Sequence, residues 1–154
     1  MIDEKKIKEI VLEKLSTDDF LVDIKINKLN KIEVFVDNFK GISIEKCIEI
    51  SNHIENNLDR EKEDFELYVS SPGLDKPFKV IEQYKKNINK EVEILTTNNE
   101  KIKGILTAIN NNEITIDETK KIKKEGHKKK QTEKITHKLE IDNIKSTKVK
   151  ILFK

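Results

Sequence analysis

The sequence lacks the residues and segments that secreted, redox-active and membrane proteins depend on. It contains one cysteine, Cys47, which excludes an internal disulfide and leaves no partner for a CxxC redox motif or a cysteine-based zinc site. No apolar run approaches the roughly 18 residues of a membrane span. The N-terminus, MIDEKKIKEI, is too charged for the core of a signal peptide. These absences predict a cytoplasmic protein that has no membrane partner.

Arginine is nearly absent as well, because 30 of the 31 basic residues are lysine and only Arg60 is arginine. Lys, Asn and Ile together supply 68 of the 154 residues. Such a bias is typical of the amino-acid composition of a whole genome and says little about the function of one protein. Overall lysine richness is therefore weak support for nucleic-acid binding, and the distribution of charge is more informative. Residues 1–90 carry 16 basic and 19 acidic side chains, whereas residues 91–154 carry 15 and 10. The two halves therefore differ in the sign of their net charge, which is −3 for residues 1–90 and +5 for residues 91–154.

Residues 1–76 have the apolar periodicity of an α+β domain, in which two helices pack on one face of a three-stranded sheet. Asp3 is placed to cap a helix that runs to about Leu15, and Ser43 to cap a second helix whose apolar residues repeat as far as Leu58. Alternating apolar residues predict a hairpin with its turn at Asn30, followed by a third strand. The apolar strand positions are Leu21, Val22, Ile24, Ile26, Ile32, Val34, Val36, Phe65, Leu67 and Val69.

The segment SSPGLDKP, residues 70–77, is dense in turn-forming residues. Pro72 and Gly73 predict a type II turn in which Gly73 supplies the positive φ. Lys76 and Pro77 predict the N-cap and the first residue of a short helix over 77–86. Residues 77–90 are accordingly expected to form a helical linker.

Residues 91–154 change to short strands, predicted over 91–95, 101–109, 113–117, 134–141 and 146–153. Three consecutive asparagines, residues 110–112, mark a turn between the second and third of them. Five short strands without a helical period between them indicate a small antiparallel barrel or sandwich. Residues 118–134 hold 8 lysines and 3 glutamates with almost no apolar residue, and are predicted to form a mobile loop or an extended hairpin tip.

Three segments resemble one known family, the bacterial ribosome maturation factors RimP. The strand and turn FELYVSSPGLDKPF, residues 65–78, is similar to the family's characteristic Val-Ser-Ser-Pro-Gly-Leu-Asp-basic-Pro segment. The helix GISIEKCIEISNHIENNLD, residues 41–59, and the C-terminal IDNIKSTKVKILF resemble two further family segments. The family usually has arginine where this chain has Lys76, and a lysine cannot form the planar bidentate contact of a guanidinium.

The resemblance implies a fold and a function. The fold is an α+β N-terminal domain followed by an all-β Sm-like or SH3-like small barrel. The function is late maturation of the small (30S) ribosomal subunit, without catalysis or a cofactor. The implied partners are the 16S rRNA of the immature subunit and the ribosomal protein near the decoding centre with which the family's barrel is associated. The factor is expected to be a monomer. The family motif then becomes a candidate docking surface, formed by Ser70, Ser71, Pro72, Gly73, Leu74, Asp75, Lys76 and Pro77.

The lysine-rich segment departs from the family and is interpreted from its charge alone. A charge run is usually a solvated surface, but this run is confined to one loop of a domain that is otherwise balanced at 7 basic and 7 acidic residues. That concentration favours contact with RNA phosphates, which gives affinity without sequence specificity. The candidate phosphate ligands are Lys120, Lys121, Lys123, Lys124, Lys128, Lys129 and Lys130.

Other functions find less support in the sequence. A general RNA-binding or RNA-chaperone protein, built as an Sm-like oligomer, is the leading alternative. A hydrolase would need a GxSxG elbow or another activated nucleophile, and the sequence offers none. His127 and His137 lack carboxylates or cysteines at metal-ligand spacing, so no metal site is predicted. Cys47 is interpreted as core filler and His53 as a solvated residue.

Overall fold

A computed structural model describes residues 2–122 and 131–150, and the chain divides into two compact units. None of the helices among those residues is long and apolar enough to cross a membrane. The first unit, residues 1–73, contains α1 (Glu4–Leu12), β1 (Asp19–Ile26), β2 (Lys31–Asn38), α2 (Ile44–Asn56) and β3 (Glu66–Ser70). The second unit, residues 74–154, contains α3 (Ile81–Lys86), β4 (Glu91–Thr96), β5 (Lys101–Asn110), β6 (Glu113–Ile122), β7 (Gln131–Glu140), a 3₁₀ turn (Ile141–Asn143) and β8 (Ile144–Val149).

Both helices of the first unit begin at their predicted caps. The Asp3 carboxylate accepts a hydrogen bond from the Lys5 N–H at 3.0 Å, and the Ser43 hydroxyl accepts one from the Lys46 N–H at 3.1 Å. Their predicted ends were wrong, because α1 stops at Leu12 and α2 at Asn56. Leu15 and Leu58 still pack against the core from the connections that follow. These two leucines are therefore apolar because they are packed against the core, and not because the helices extend to them.

The sheet of the first unit has the strand order β1-β2-β3, with β1 antiparallel and β3 parallel to β2. The predicted hairpin turn is confirmed at Asn30, whose φ of 58° is a left-handed conformation that asparagine tolerates. The parallel strand is reached through α2, which packs on the sheet beside α1. Both helices and the inward strand positions bury one core, which includes Ile7, Val11, Ile32, Val34, Val36, Ile50, Ile54 and Phe65.

The second unit is a five-stranded antiparallel sheet in the order β7-β6-β5-β4-β8. The predicted asparagine turn joins β5 and β6, where Asn111 has a φ of 54°. Tyr84 of α3 joins the core, and its hydroxyl lies 2.8 Å from the hydroxyl of buried Thr147 on β8. Burial raises the pKa of the Tyr84 phenol, although the hydrogen bond to Thr147 opposes that shift. Residues of the predicted linker thus pack within this unit.

Two predictions about the segment before α3 were wrong. The helix begins at Ile81 rather than at Pro77, because the Gln83 side chain accepts hydrogen bonds from the N–H groups of Lys79 and Val80 and fixes the helix start there. The turn in this segment lies at residues 74–75, and the glycine with a positive φ among the described residues is Gly41. Gly73 therefore does not supply the left-handed corner that the Pro-Gly pair indicated.

The lysine-rich segment is partly strand. The pairing of β6 with β7 continues from Glu113 opposite Glu140 to Ile122 opposite Gln131, so the predicted strand ends at residues 117 and 134 were too short. The structure favours the extended hairpin over the loop for residues 118–122 and 131–134. Asp117 adds side-chain contacts across the pair, because it accepts a hydrogen bond from the Thr136 hydroxyl at 2.9 Å and contacts the Lys134 ammonium at 3.1 Å.

Closure of the second sheet is not observed. Over residues 2–122 and 131–150, no ladder joins β7 to β8, so the structure establishes a five-stranded antiparallel sheet. An Sm-like or SH3-like barrel therefore stays a prediction. Residues 151–153, the end of the predicted last strand, lie outside the described part of the chain.

Replacing Gly104 should destabilise the second unit. A Cβ atom at this position on β5 would lie 2.5 Å from the Asp117 carbonyl oxygen and 2.8 Å from a methyl carbon of Ile116. We expect Gly104→Val to lower the free energy of unfolding by about 1–3 kcal/mol, because β6 must move to relieve the overlap. Urea denaturation would measure the change, with Lys103→Val, at an exposed site on the same strand, as the control. Equal stability of the two variants would contradict the close approach of β5 and β6.

Candidate docking groove

The residues of the predicted docking surface are divided between the two units. Ser70 ends β3 and is followed by Ser71, Pro72 and Gly73 in the first unit. The remaining four residues, Leu74, Asp75, Lys76 and Pro77, belong to the second unit. Most of the segment is exposed, and Leu74 retains 70% of its accessible surface. In the described part of the chain, Ser70, Ser71, Asp75 and Lys76 make no side-chain hydrogen bond or ion pair.

A groove of about 530 Å³ lies between α2 and β3 in the first unit. One wall is the face of α2 that carries Ile44, Cys47, Ile48 and Ser51, and the other is β3 with Ser71. None of the lining residues is charged. Ile44 and Ile48 retain 76% and 53% of their accessible surface, so two large aliphatic side chains stand open to solvent beside each other. Exposed apolar surface of this kind commonly marks an interaction site.

The open edge of β3 forms part of the same groove. Glu66 donates its N–H to the Asn30 carbonyl, on the side of β2. Because successive residues of a strand direct their main-chain groups to opposite sides, Leu67 and Val69 present theirs to the outer edge. Among the described residues, none pairs with that edge. An unpaired edge strand is a template for another strand.

Arg60 fixes the connection through which the chain leaves α2 and enters β3. Its guanidinium donates two hydrogen bonds to Glu55, at 2.6 and 3.2 Å, one to Asp64 at 2.9 Å and one to the Phe65 carbonyl at 2.6 Å. The same group lies 4.0 Å from the centroid of the Phe65 ring, a cation–π contact. The hydrogen bonds to Glu55, and then to Asp64, raise the pKa of Arg60 above its usual value.

Cys47 lines the groove and is half-buried. It packs against the core as predicted, although less completely than a filler residue would. Burial, followed by the charges of Asp19 and Asp37, raises the pKa of its thiol. The neutral thiol is therefore favoured, and a nucleophilic role receives no support from its surroundings.

The candidate phosphate ligands are only partly described. Lys120 and Lys121 lie on β6, opposite Glu133 and Thr132 of β7. The other five, Lys123, Lys124, Lys128, Lys129 and Lys130, fall outside the described residues. The division of the chain nevertheless sharpens the charge contrast found in the sequence. Residues 1–73 carry 11 basic and 17 acidic side chains, a net charge of −6, and residues 74–154 carry 20 and 12, a net charge of +8.

The histidines do not assemble a metal centre in the part of the chain that the structure describes. No group of three histidine, cysteine or carboxylate residues lies together there. The prediction that His53 is solvated was wrong, since it is half-buried with its Nε2 3.6 Å from a Glu13 carboxylate oxygen. The reason is that α1 packs beside α2 and brings Glu13, the residue that follows α1, next to the imidazole. His137 lies 3.1 Å from Glu118 across the β6–β7 pair, and His127 is outside the described residues.

The sequence pattern did not predict the groove between α2 and β3. Ile44, Cys47, Ile48 and Ser51 repeat at the spacing of a buried helical face, and that face was interpreted as core. The buried positions of α2 are Ile50 and Ile54. The sequence feature that could have predicted the groove is the width of the apolar face of α2, which is larger than a three-stranded sheet can bury.

Comparison with known proteins identifies relatives over most of the chain. A family model described as the RimP N-terminal domain matches residues 7–75. The Ribosome maturation factor RimP of Porphyromonas gingivalis is 40% identical over 134 residues, which cover 86% of this chain and 88% of that protein. The protein of the same name from Flavobacterium psychrophilum is 36% identical over 152 residues, 97% of this chain and 98% of that protein. A third, from Christiangramia forsetii, is 38% identical over 87% of each chain.

Arg60→Lys should loosen the start of β3. An ammonium cannot reproduce the fork that reaches Glu55, Asp64 and the Phe65 carbonyl together, so we expect a lower Tm and faster hydrogen exchange in β3. Thermal unfolding and exchange measured by NMR would test this, with Lys62→Ala, at an exposed site nearby, as the control. A lysine variant that behaves as wild type in both measurements would show that the anchoring is not needed.

Proposed function

Because this chain belongs to the family of ribosome maturation factors RimP, we propose that it acts in late maturation of the small (30S) ribosomal subunit and binds the immature subunit without catalysis. Its proposed partners are the 16S rRNA and a ribosomal protein near the decoding centre. It would work in the cytoplasm, as a monomer and without a cofactor.

The opposite net charges of the two units indicate which unit contacts RNA. A unit with a net charge of +8 attracts RNA phosphates and gains affinity when condensed counterions are released. A unit with a net charge of −6 is repelled by the same phosphates and is better suited to a protein surface. We therefore assign RNA contact to residues 74–154, the part of the chain with which the family resemblance also associates the ribosomal protein, and no RNA contact to residues 1–73.

The proposed mechanism needs no reactive group. A factor that binds one conformation of a fluctuating assembly intermediate more tightly than its competitors increases the population of that conformation. Each tenfold preference corresponds to about 1.4 kcal/mol of differential binding. Subunits held in the productive conformation would then accept the next ribosomal protein, after which the factor's preferred surface disappears and it dissociates.

A strain without this protein should accumulate immature small subunits. We expect sucrose gradients to show excess free subunits and unprocessed small-subunit RNA, because the productive conformation is less populated without the factor. The tagged protein should sediment with free small subunits and not with assembled ribosomes. Complementation with the intact gene is the control. A normal gradient profile at several growth temperatures would contradict the proposal.

The lysine-rich segment should contribute to the salt dependence of subunit binding. The variant replaces Lys120, Lys121, Lys123, Lys124, Lys128, Lys129 and Lys130 with glutamine. Its slope of log affinity against log salt should fall by about 0.7–0.9 for every RNA phosphate that it no longer neutralises. A salt titration of subunit binding would measure both slopes, and the stability of the protein should change little.

A matched variant controls for the reduction of total charge in this experiment. It replaces seven lysines of the first unit with glutamine: Lys5, Lys6, Lys8, Lys14, Lys28, Lys40 and Lys62. The slope of this control should equal that of the wild type, because the acidic first unit is assigned no RNA contact. If both variants change the slope equally, the lysine-rich segment has no specific role in RNA binding.

A further inference from the structure

The groove between α2 and β3 combines two features that recognise an extended peptide. The outer edge of β3 offers the main-chain groups of Leu67 and Val69, which can pair with another strand whatever its sequence. Beside that edge, Ile44 and Ile48 offer aliphatic surface that accepts the side chains of alternate residues. Main-chain pairing supplies affinity in such a site, and the apolar wall supplies selectivity.

The charge around the groove indicates what kind of chain would bind. The lining contains no basic side chain to hold a phosphate, and Glu45 and Glu49 are exposed on the same helix. Lys46, which lies between them, is ion-paired with Glu49 at 3.5 Å and with Asp19 at 3.7 Å. The unit as a whole has a net charge of −6, which attracts a basic segment and repels a nucleic acid. A second copy that presented its own β3 edge would bring an equally acidic unit, so strand pairing between copies is disfavoured.

We propose that this groove binds an extended, basic segment of a partner protein. The segment adds to β3 as a fourth strand of the first sheet. Its alternate aliphatic side chains lie against Ile44 and Ile48, and lysine or arginine residues lie on either side of them. This inference goes beyond the proposed role in subunit maturation, and it is testable without a ribosome.

A displayed library of random 12-residue peptides is the probe, selected on the full-length protein and counter-selected on Ile48→Lys. The substitution is at an exposed site, so folding should be retained, and thermal unfolding would verify this. We expect enriched sequences with aliphatic residues at alternate positions and basic residues at the flanks. No enrichment, or enrichment of acidic peptides, would overturn the proposal.

Binding of one enriched peptide to three proteins then identifies the site. Fluorescence anisotropy should show about tenfold weaker binding to Ile48→Lys than to wild type, as expected when one anchor of a peptide interface is removed. Leu29→Lys is the matched control, because it adds the same charge to an aliphatic site that is 87% exposed in the β1–β2 turn. It should bind as wild type does. Equal binding to all three proteins would place the peptide elsewhere.

Main-chain pairing has its own test. The amide protons of Leu67 and Val69 should become protected from exchange when the peptide binds, and a peptide N-methylated at alternate residues should fail to bind. Displacement of the peptide by a single-stranded RNA oligonucleotide would assign the groove to RNA and overturn the proposal. So would a dimer in sedimentation equilibrium that Ile48→Lys dissociates, since the groove would then hold a second copy.

Discussion

The placement of β3 beside β2 is the constraint on which the first unit's sheet depends, and the guanidinium of Arg60 contributes to it. A strand parallel to its neighbour has no short turn to fix its position, and β3 must be placed by the chain that returns from α2. Arg60 connects the last turn of that helix to Asp64 and Phe65, immediately before β3 begins. Its stacking on the buried Phe65 ring joins this polar network to the core. The site is occupied by arginine in a chain that uses lysine at every other basic position. This agrees with a requirement for several directed hydrogen bonds rather than for charge alone.

The position of β3 in turn creates the groove. Because β3 is the edge of a three-stranded sheet, α2 has sheet beneath only part of its apolar stripe, and Ile44 and Ile48 remain uncovered. A fourth strand would complete both the hydrogen-bonding edge and the cover over α2. The same geometry explains why Cys47 and Ser51, on the border between core and groove, are only half-buried.

Local features of the fold were predictable from the sequence, and features set by packing were not. Caps at Asp3 and Ser43 and the turns at Asn30 and Asn111 depend on neighbouring residues, so short patterns revealed them. The ends of α1 and α2 were misplaced because Leu15 and Leu58 continue the apolar pattern but pack against the core from the connections after the helices. The start of α3 depends on the Gln83 side chain, which has no strong sequence signal. The length of the β6–β7 hairpin was underestimated, because residues 118–122 and 131–134 pair through the backbone ladder without the apolar alternation that marks a strand in the sequence. In the candidate site, the motif residues were predicted by resemblance. The groove beside Ser70 required knowledge of which α2 positions the sheet leaves open.

The distribution of tyrosine gives each unit its own optical reporter. The chain has no tryptophan and two tyrosines, of which Tyr68 lies on β3 and Tyr84 on α3. Tyr68 retains 53% of its accessible surface, whereas Tyr84 retains 6% and has its hydroxyl beside that of Thr147. Ultraviolet absorption of the phenol responds to transfer from a protein interior to water, so melting of the second unit would dominate the signal. Replacement of either ring by phenylalanine would then separate the spectroscopic melting curves of the two units within one intact chain.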